Sequence, residues 1–78
     1  MEKEKVLEKI VPFLSRLTDE EEIRPEDELL DDLGISSMDI LMLMTIMEEE
    51  FHVKIEESQL RRIVTVDDMA EMIVAAIG

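Results

Sequence analysis

Apolar residues return at three- and four-residue intervals in three separate stretches of this chain. That period admits helices packed against one another and little else. In the first stretch the apolar positions are Val6, Leu7, Ile10, Phe13, Leu14 and Leu17, one stripe along a helix. Pro12 lies inside the stripe and cannot donate to the carbonyl of Glu8, so a kink or a loosened turn is expected there. The second stretch, Ser37 to Phe51, carries the strongest helix signal. Gly34 marks a turn before it, Ser36 is placed to cap it, and Asp39 stands at the capping-box offset. Leu43, Ile46, Met47, Glu50 and Phe51 are expected along one side, with Ile40 one turn earlier. The third stretch begins after Thr65, with Asp68 at the capping-box offset, and runs to about Ala76; Val66, Met69, Ala70, Ile73, Val74 and Ile77 form its apolar face. A shorter helical turn is expected over residues 57–62. The predicted fold class is all-α, a small bundle of three main helices plus one short helix, with a long loop between helices 1 and 2.

That loop, from Thr18 to Ser36, is acidic, with Glu20, Glu21, Glu22 and Asp27 alongside Pro25. Ile23, Leu29, Leu30 and Leu33 are spaced through it and read most simply as pegs fastening it across the bundle. Loops of this length tend to be functional when they occur in compact domains. A dedicated calcium site is not expected, because nothing between Asp19 and Gly34 follows the EF-hand order of alternating oxygen ligands, central glycine and terminal glutamate. No metal ligands are assigned elsewhere.

With 78 residues and no cysteine, the chain must be stabilised by packed side chains rather than by disulfides or a thiolate metal site. Hydrophobic residues make up 46%, enough for a core. Seven methionines against two phenylalanines make that core deformable. The formal net charge is −13, which disfavours nucleic acid and anionic membranes and favours partners presenting Lys or Arg. Self-repulsion at this charge should be eased by salt or divalent cations. No signal-peptide pattern and no membrane-length apolar run is present, so a soluble cytoplasmic monomer without membrane insertion is the expectation.

The residues Asp32-Leu33-Gly34-Ile35-Ser36-Ser37-Met38-Asp39, continuing to Glu48-Glu49-Glu50-Phe51, resemble the acyl carrier protein family. Its signature is Asp-Leu-Gly, one residue, Asp-Ser-Leu, then a helix ending in acidic residues and Phe. Ile55, Ile63, Thr65 and Val66 match the spacing of the family's third and fourth helices, so the likeness runs from Val6 to about Ile77. The resemblance implies one acyl-carrier-like domain over residues 1–78, with 4′-phosphopantetheine, taken from coenzyme A, covalently attached to Ser37. It implies a phosphopantetheinyl transferase as modifying partner, and acyl-transferring and synthase enzymes with basic docking surfaces as clients. The cargo would be an acyl thioester of fatty-acid, polyketide or related lipid synthesis, often folded back between the helices. Two positions depart from the pattern. Ser36 stands where the family usually has an acidic residue, and Met42 where it usually has a glutamate for partner recognition. Together they imply a specialised carrier with a narrower set of partners.

The residues support this chemistry independently. A helix N-terminus carries unsatisfied N–H groups and partial positive charge, worth up to roughly 1 kcal/mol to an exposed anion. A phosphodiester on a first-turn serine gains from that field. Ser36 and Ser37 also fit a simple capping role, and either could be the modified one. A catalytic Ser–His pair is excluded: the only histidine, His52, lies fifteen residues further on, about 22 Å along the helix axis. The chain is thus expected to act as a covalent shuttle rather than as an enzyme. If Leu43, Ile46, Met47 and Phe51 point inward, Met38, Leu41, Met42 and Thr45 face solvent beside Ser37. This is read as a docking patch rimmed by Asp31, Asp32, Asp39, Glu48 and Glu49, the alternative being a helix buried on more sides. Met44, Met47, Met69 and Met72 are candidates for lining a cargo cavity or for ordinary core filling. Within the same fold an aminoacyl (D-alanyl or peptidyl) carrier remains open, as does an unmodified acidic adaptor.

Overall fold

The computed structural model describes residues 2–78. Four helices follow in order: α1 (Lys3–Leu14), α2 (Ser37–Phe51), α3 (Glu57–Leu60) and α4 (Val66–Ile77). No strand forms among the described residues; the one extended contact is an isolated antiparallel bridge between Glu28 and Thr65. The all-α bundle of three main helices and one short one is the architecture that the periodicity predicts.

The helix α1 packs along α4. It buries Val6, Ile10 and Leu14, against Val66, Met69, Ala70 and Ile73 from α4. Truncating any large member of this set leaves a cavity costing about 2–5 kcal/mol. At the solvent edge of the same interface Lys3 Nζ lies 2.9 Å from Asp67, whose hydrogen bond holds the lysine pKa above its ordinary value. Pro12 does not end α1 where it stands. Both Pro12 and Glu8 are exposed, so the carbonyl that loses its N–H partner can be hydrated. The helix closes two residues later, at Leu14 rather than Leu17, in tighter bonds from Arg16 N to Phe13 O (3.2 Å) and Leu17 N to Leu14 O (2.9 Å).

The start of α4 has the full expected capping box. Asp68 N donates to Thr65 Oγ1 (3.0 Å), and Thr65 N donates back to Asp68 Oδ2 (3.0 Å). Val64 N donates to the same carboxylate oxygen (3.1 Å). The Thr65 N–H is the main cause holding the Asp68 pKa below the usual carboxylate value, with the Val64 N–H adding to it.

The acidic loop is tied down by main-chain bonds that no periodicity foretells. Leu29 N donates to Val64 O (2.9 Å), Val66 N to Asp27 O (3.0 Å) and Asp67 N to Pro25 O (2.7 Å), stitching the loop to the entry of α4. Thr18 Oγ1 donates to Leu33 O (2.6 Å) and fixes the loop's other side. Of the four expected pegs, Leu29 and Leu33 are buried and Ile23 is half-buried. Leu30 is not a peg: it is 56% exposed. Ile35, two residues before α2, takes the buried place instead, positioned by its N–H bond to Leu29 O (2.9 Å). Between them Gly34 turns the chain at φ +67°, a conformation that side chains disfavour although a Cβ there would meet nothing.

The inward face of α2 differs from the expected one. Ile40, Leu43, Met44 and Met47 are buried, Phe51 is half-buried, Glu50 is exposed and Ile46 is 36% exposed. Met44 occupies the core place assigned to Ile46. The reason is in the composition of the helix: apolar residues surround its axis through most of its length, so the sequence pattern does not fix its rotation. The methionines Met44, Met47 and Met69 are fully buried and Met72 is half-buried.

Candidate functional site

The helix α2 begins three residues after Gly34, and Ser36, Ser37 and Met38 at its start are exposed. Ser36 is the N-cap, with extended backbone (φ −73°, ψ 161°), and its Oγ accepts the Asp39 N–H at 3.2 Å. The expected reciprocal bond from Asp39 is not made; Asp39 Oδ does not accept the Ser36 N–H, so the cap is one-sided. Ile40 N bonds to Ser36 O at 3.0 Å. This leaves the N–H groups of Ser37 and Met38 without a main-chain acceptor, facing outward at the positive end of a 15-residue helix.

The two adjacent serines are thereby separated by their hydrogen bonding. Ser36 Oγ is committed to the cap. Ser37 Oγ is exposed and makes no hydrogen bond to another described residue. Beside it, α2 and α3 diverge to leave a groove of about 250 Å³ lined by Leu30, Ser37, Ile40, Leu41, Leu60 and Ile63 on its hydroxyl and apolar walls, with Glu57 and Arg61 as charged neighbours. The exposed Leu30 that fails as a loop peg is therefore one wall of this groove. Neither Leu30 nor Leu60 is singled out by the sequence as a site residue, because both come from segments whose approach to α2 depends on the loop and on α3. At the start of α3, Gln59 N donates to the Glu56 carbonyl (3.0 Å) and Glu56 N donates back to Gln59 Oε1 (3.2 Å), which holds that wall in place.

Along α2 from Ser37, Met38 is 75% exposed, Leu41 41% and Met42 51%, and Thr45 is also exposed. Thr45 Oγ1 donates to Leu41 O (3.0 Å), so its hydroxyl is satisfied within the helix. The apolar surface continues over Ile46 into a second groove, of about 210 Å³, between Met42, Leu43 and Ile46 of α2 and Phe13 near the end of α1 with Arg16 and Leu17 just after it. Around this surface Asp31, Asp32 and Glu49 are exposed, and Asp39 and Glu48 are half-exposed. Two of these acids also have local structural work. Asp32 Oδ2 accepts the Glu28 N–H (2.8 Å), and Glu48 Oε2 accepts the Ile55 N–H (3.0 Å). His52 caps the far end of the helix in the left-handed conformation (φ 55°), well away from Ser37. Among the described residues no group of three or more His, Cys, Asp or Glu side chains is arranged to hold a metal ion, and no helix is long and apolar enough to cross a membrane.

The site thus suits a tethered anion with an apolar continuation. A free hydroxyl offers the attachment atom, two outward N–H groups face the charge, and the groove offers apolar walls. Residues 4–73 match the family model described as the phosphopantetheine attachment site. The chain is 33% identical to the acyl carrier protein of Thermotoga maritima, over 97% of this chain and 96% of that one. It is 38% identical to the acyl carrier protein of Nitratidesulfovibrio vulgaris over 68% of this chain and 70% of the relative. The crystal structure of the Thermotoga maritima acyl carrier protein superposes with a TM-score of 0.83 at 28% identity, covering 99% of this chain and 92% of the other. The structure of the acyl carrier protein from Enterococcus faecalis gives 0.81 at 27% identity, covering 97% and 99%.

Proposed function

The chain belongs to the acyl carrier protein family, whose cofactor is phosphopantetheine, and from that premise we propose that Ser37 Oγ is the atom that carries the arm. The protein then shuttles acyl thioesters to enzymes of fatty-acid, polyketide or related lipid synthesis, as a cytoplasmic monomeric carrier with no catalytic group of its own. The observation that carries the choice of residue is the contrast between the engaged Ser36 Oγ and the free Ser37 Oγ. A transferase working on Ser36 would have to disturb the helix cap, worth about 1 kcal/mol. At Ser37 no bond needs to break.

When bound, the arm supplies a terminal thiol that holds acyl groups as thioesters. The chain's own residues do the rest. The Ser37 and Met38 N–H groups lower the electrostatic cost of the phosphodiester at this end of an acidic protein. Leu30, Ile40, Leu41, Leu60 and Ile63 offer an apolar groove that can shelter the first carbons of a cargo from water. Met38, Leu41, Met42 and Thr45 give partner enzymes an apolar centre to press on, and Asp39, Glu48 and Glu49 steer their basic surfaces to it. With Met42 apolar, docking depends on shape at that point, consistent with a narrow set of partners.

The test is the cargo itself. Protein purified from its native host is weighed intact before and after hydroxylamine, which cleaves thioesters. We expect a phosphopantetheinylated form whose additional acyl mass hydroxylamine removes. An amino-acid increment would replace the acyl reading with an aminoacyl carrier, and a chain never modified would support an adaptor instead.

A further inference from the structure

Among the residues lining the groove beside Ser37, Arg61 has no partner in the fold. It is the C-cap of α3, it is exposed, and among the described residues its guanidinium forms no ion pair and no side-chain hydrogen bond. Among the described residues Lys5, Arg16, Lys54 and Arg62 likewise form no ion pair, and what sets Arg61 apart is its place: it is the one basic residue lining this groove. Lys3 holds Asp67 and Glu71, Lys9 holds Glu50, and Arg24 holds Glu22. Glu57 opens the short helix that Arg61 caps, four residues earlier, and lines the same groove, a spacing that favours pairing. The two nevertheless stay beyond ion-pair distance. A cation is left open at the one place where modification adds an anion.

We propose that Arg61 is a positioning residue for the arm: its guanidinium pairs with the phosphodiester on Ser37 and turns the tether across the groove between α2 and α3. This rests on Ser37 being the attachment site. The geometry follows from the two walls. Ser37 and Met38 present N–H donors from α2, and Arg61 presents a planar fork of donors from α3, the arrangement that suits two phosphate oxygens at once. With the charge held between the helices, the rest of the arm starts over Leu60 and Ile63 rather than over the exposed Met38. Glu57 opposes the pairing by repelling the phosphodiester, so its neutralisation should tighten the contact.

The experiment compares apo and holo protein, the latter prepared with coenzyme A and a broad phosphopantetheinyl transferase and checked by intact mass. Arginine side-chain Nε–H resonances are followed by 15N NMR, and the phosphodiester by 31P NMR. We expect the Arg61 resonance to shift on modification while those of Arg16 and Arg62 stay in place. The 31P resonance should move in Arg61→Gln, return part of the way in Arg61→Lys, and move further from the Arg61→Gln position in Glu57→Gln. At about 1 M salt, where the Debye length is roughly 3 Å, the wild-type and Arg61→Gln 31P positions should converge. An Arg61 resonance identical in apo and fully modified protein, with 31P unaffected by Arg61→Gln, overturns the proposal and leaves Ser37 as the attachment site. A sample whose mass shows no modification at Ser37 overturns both.

Discussion

The α1–α4 pair and the α2–α3 pair are built from similar residues and end in opposite conditions. Along α1 and α4 the apolar stripes face each other, the fully buried positions are Val6, Ile10, Leu14, Val66, Met69, Ala70 and Ile73, and the entry to α4 is closed by a complete capping box. Along α2, Met38, Leu41, Met42 and Ile46 are left outside, a groove opens on each flank, and α3 is four residues long with none of them buried. The N-cap of α2 is one-sided where that of α4 is reciprocal. One pair spends its apolar residues on stability. The other keeps some of them available, which costs stability locally and gives a surface on which an attached arm and a visiting enzyme can both find contact.

Substitutions in the two halves should therefore separate stability from traffic. The largest stability effect is expected from Ile73→Ala, a loss of about 2–5 kcal/mol in urea or thermal unfolding, because Ile73 is fully buried on α4. If the loss were below the effect of a surface change, the stable half would be misassigned. Thr65→Ala should cost about 1 kcal/mol by removing the Asp68 N–H acceptor. The same box gives a pH test. The Asp68 pKa is lowered in the fold, so its contribution is complete above the unfolded carboxylate value of about 3.9 and is lost as pH falls through the lower folded value. The stability gap between wild type and Asp68→Ala should accordingly narrow in urea titrations taken below that pH; a gap that widens would contradict the sign. The smallest stability change, within about 0.5 kcal/mol, is expected for Met42→Glu, whose side chain is half in solvent. That variant should instead weaken docking to a cognate enzyme severalfold, read as a rise in KM; unchanged KM removes Met42 from the docking surface.

The same division governs how much was legible before the structure. The stripes of α1 and α4 have a clear phase, and Val66, Met69, Ala70 and Ile73 of the expected α4 face are buried, with Val74 and Ile77 half-buried. The limits of α2 were equally clear, since Gly34 and Ser36 mark its start, but its rotation was not: an apolar sequence on all sides offers no phase, and Met44 rather than Ile46 turned inward. In the loop, Leu29 and Leu30 are indistinguishable neighbours in sequence, and the main-chain bonds that hold Leu29, from its N–H to Val64 O and from Ile35 N–H to its carbonyl, mark which one is buried. Ser36 and Ser37 posed the same difficulty at the site. Two serines in a row both fit a helix start, and the backbone at Ser36 is what directs its Oγ to Asp39 and frees its neighbour. Arg61 could not be connected with Ser37 from sequence, because the approach of α3 to α2 depends on a turn with no periodic signal.

The most direct measurement is peptide mapping by mass spectrometry after incubation with coenzyme A and a broad phosphopantetheinyl transferase, for wild type, Ser36→Ala and Ser37→Ala. One phosphopantetheine on Ser37 in wild type and in Ser36→Ala, and none in a folded Ser37→Ala, is the predicted result. An arm found on Ser36, or retained by Ser37→Ala, would contradict it.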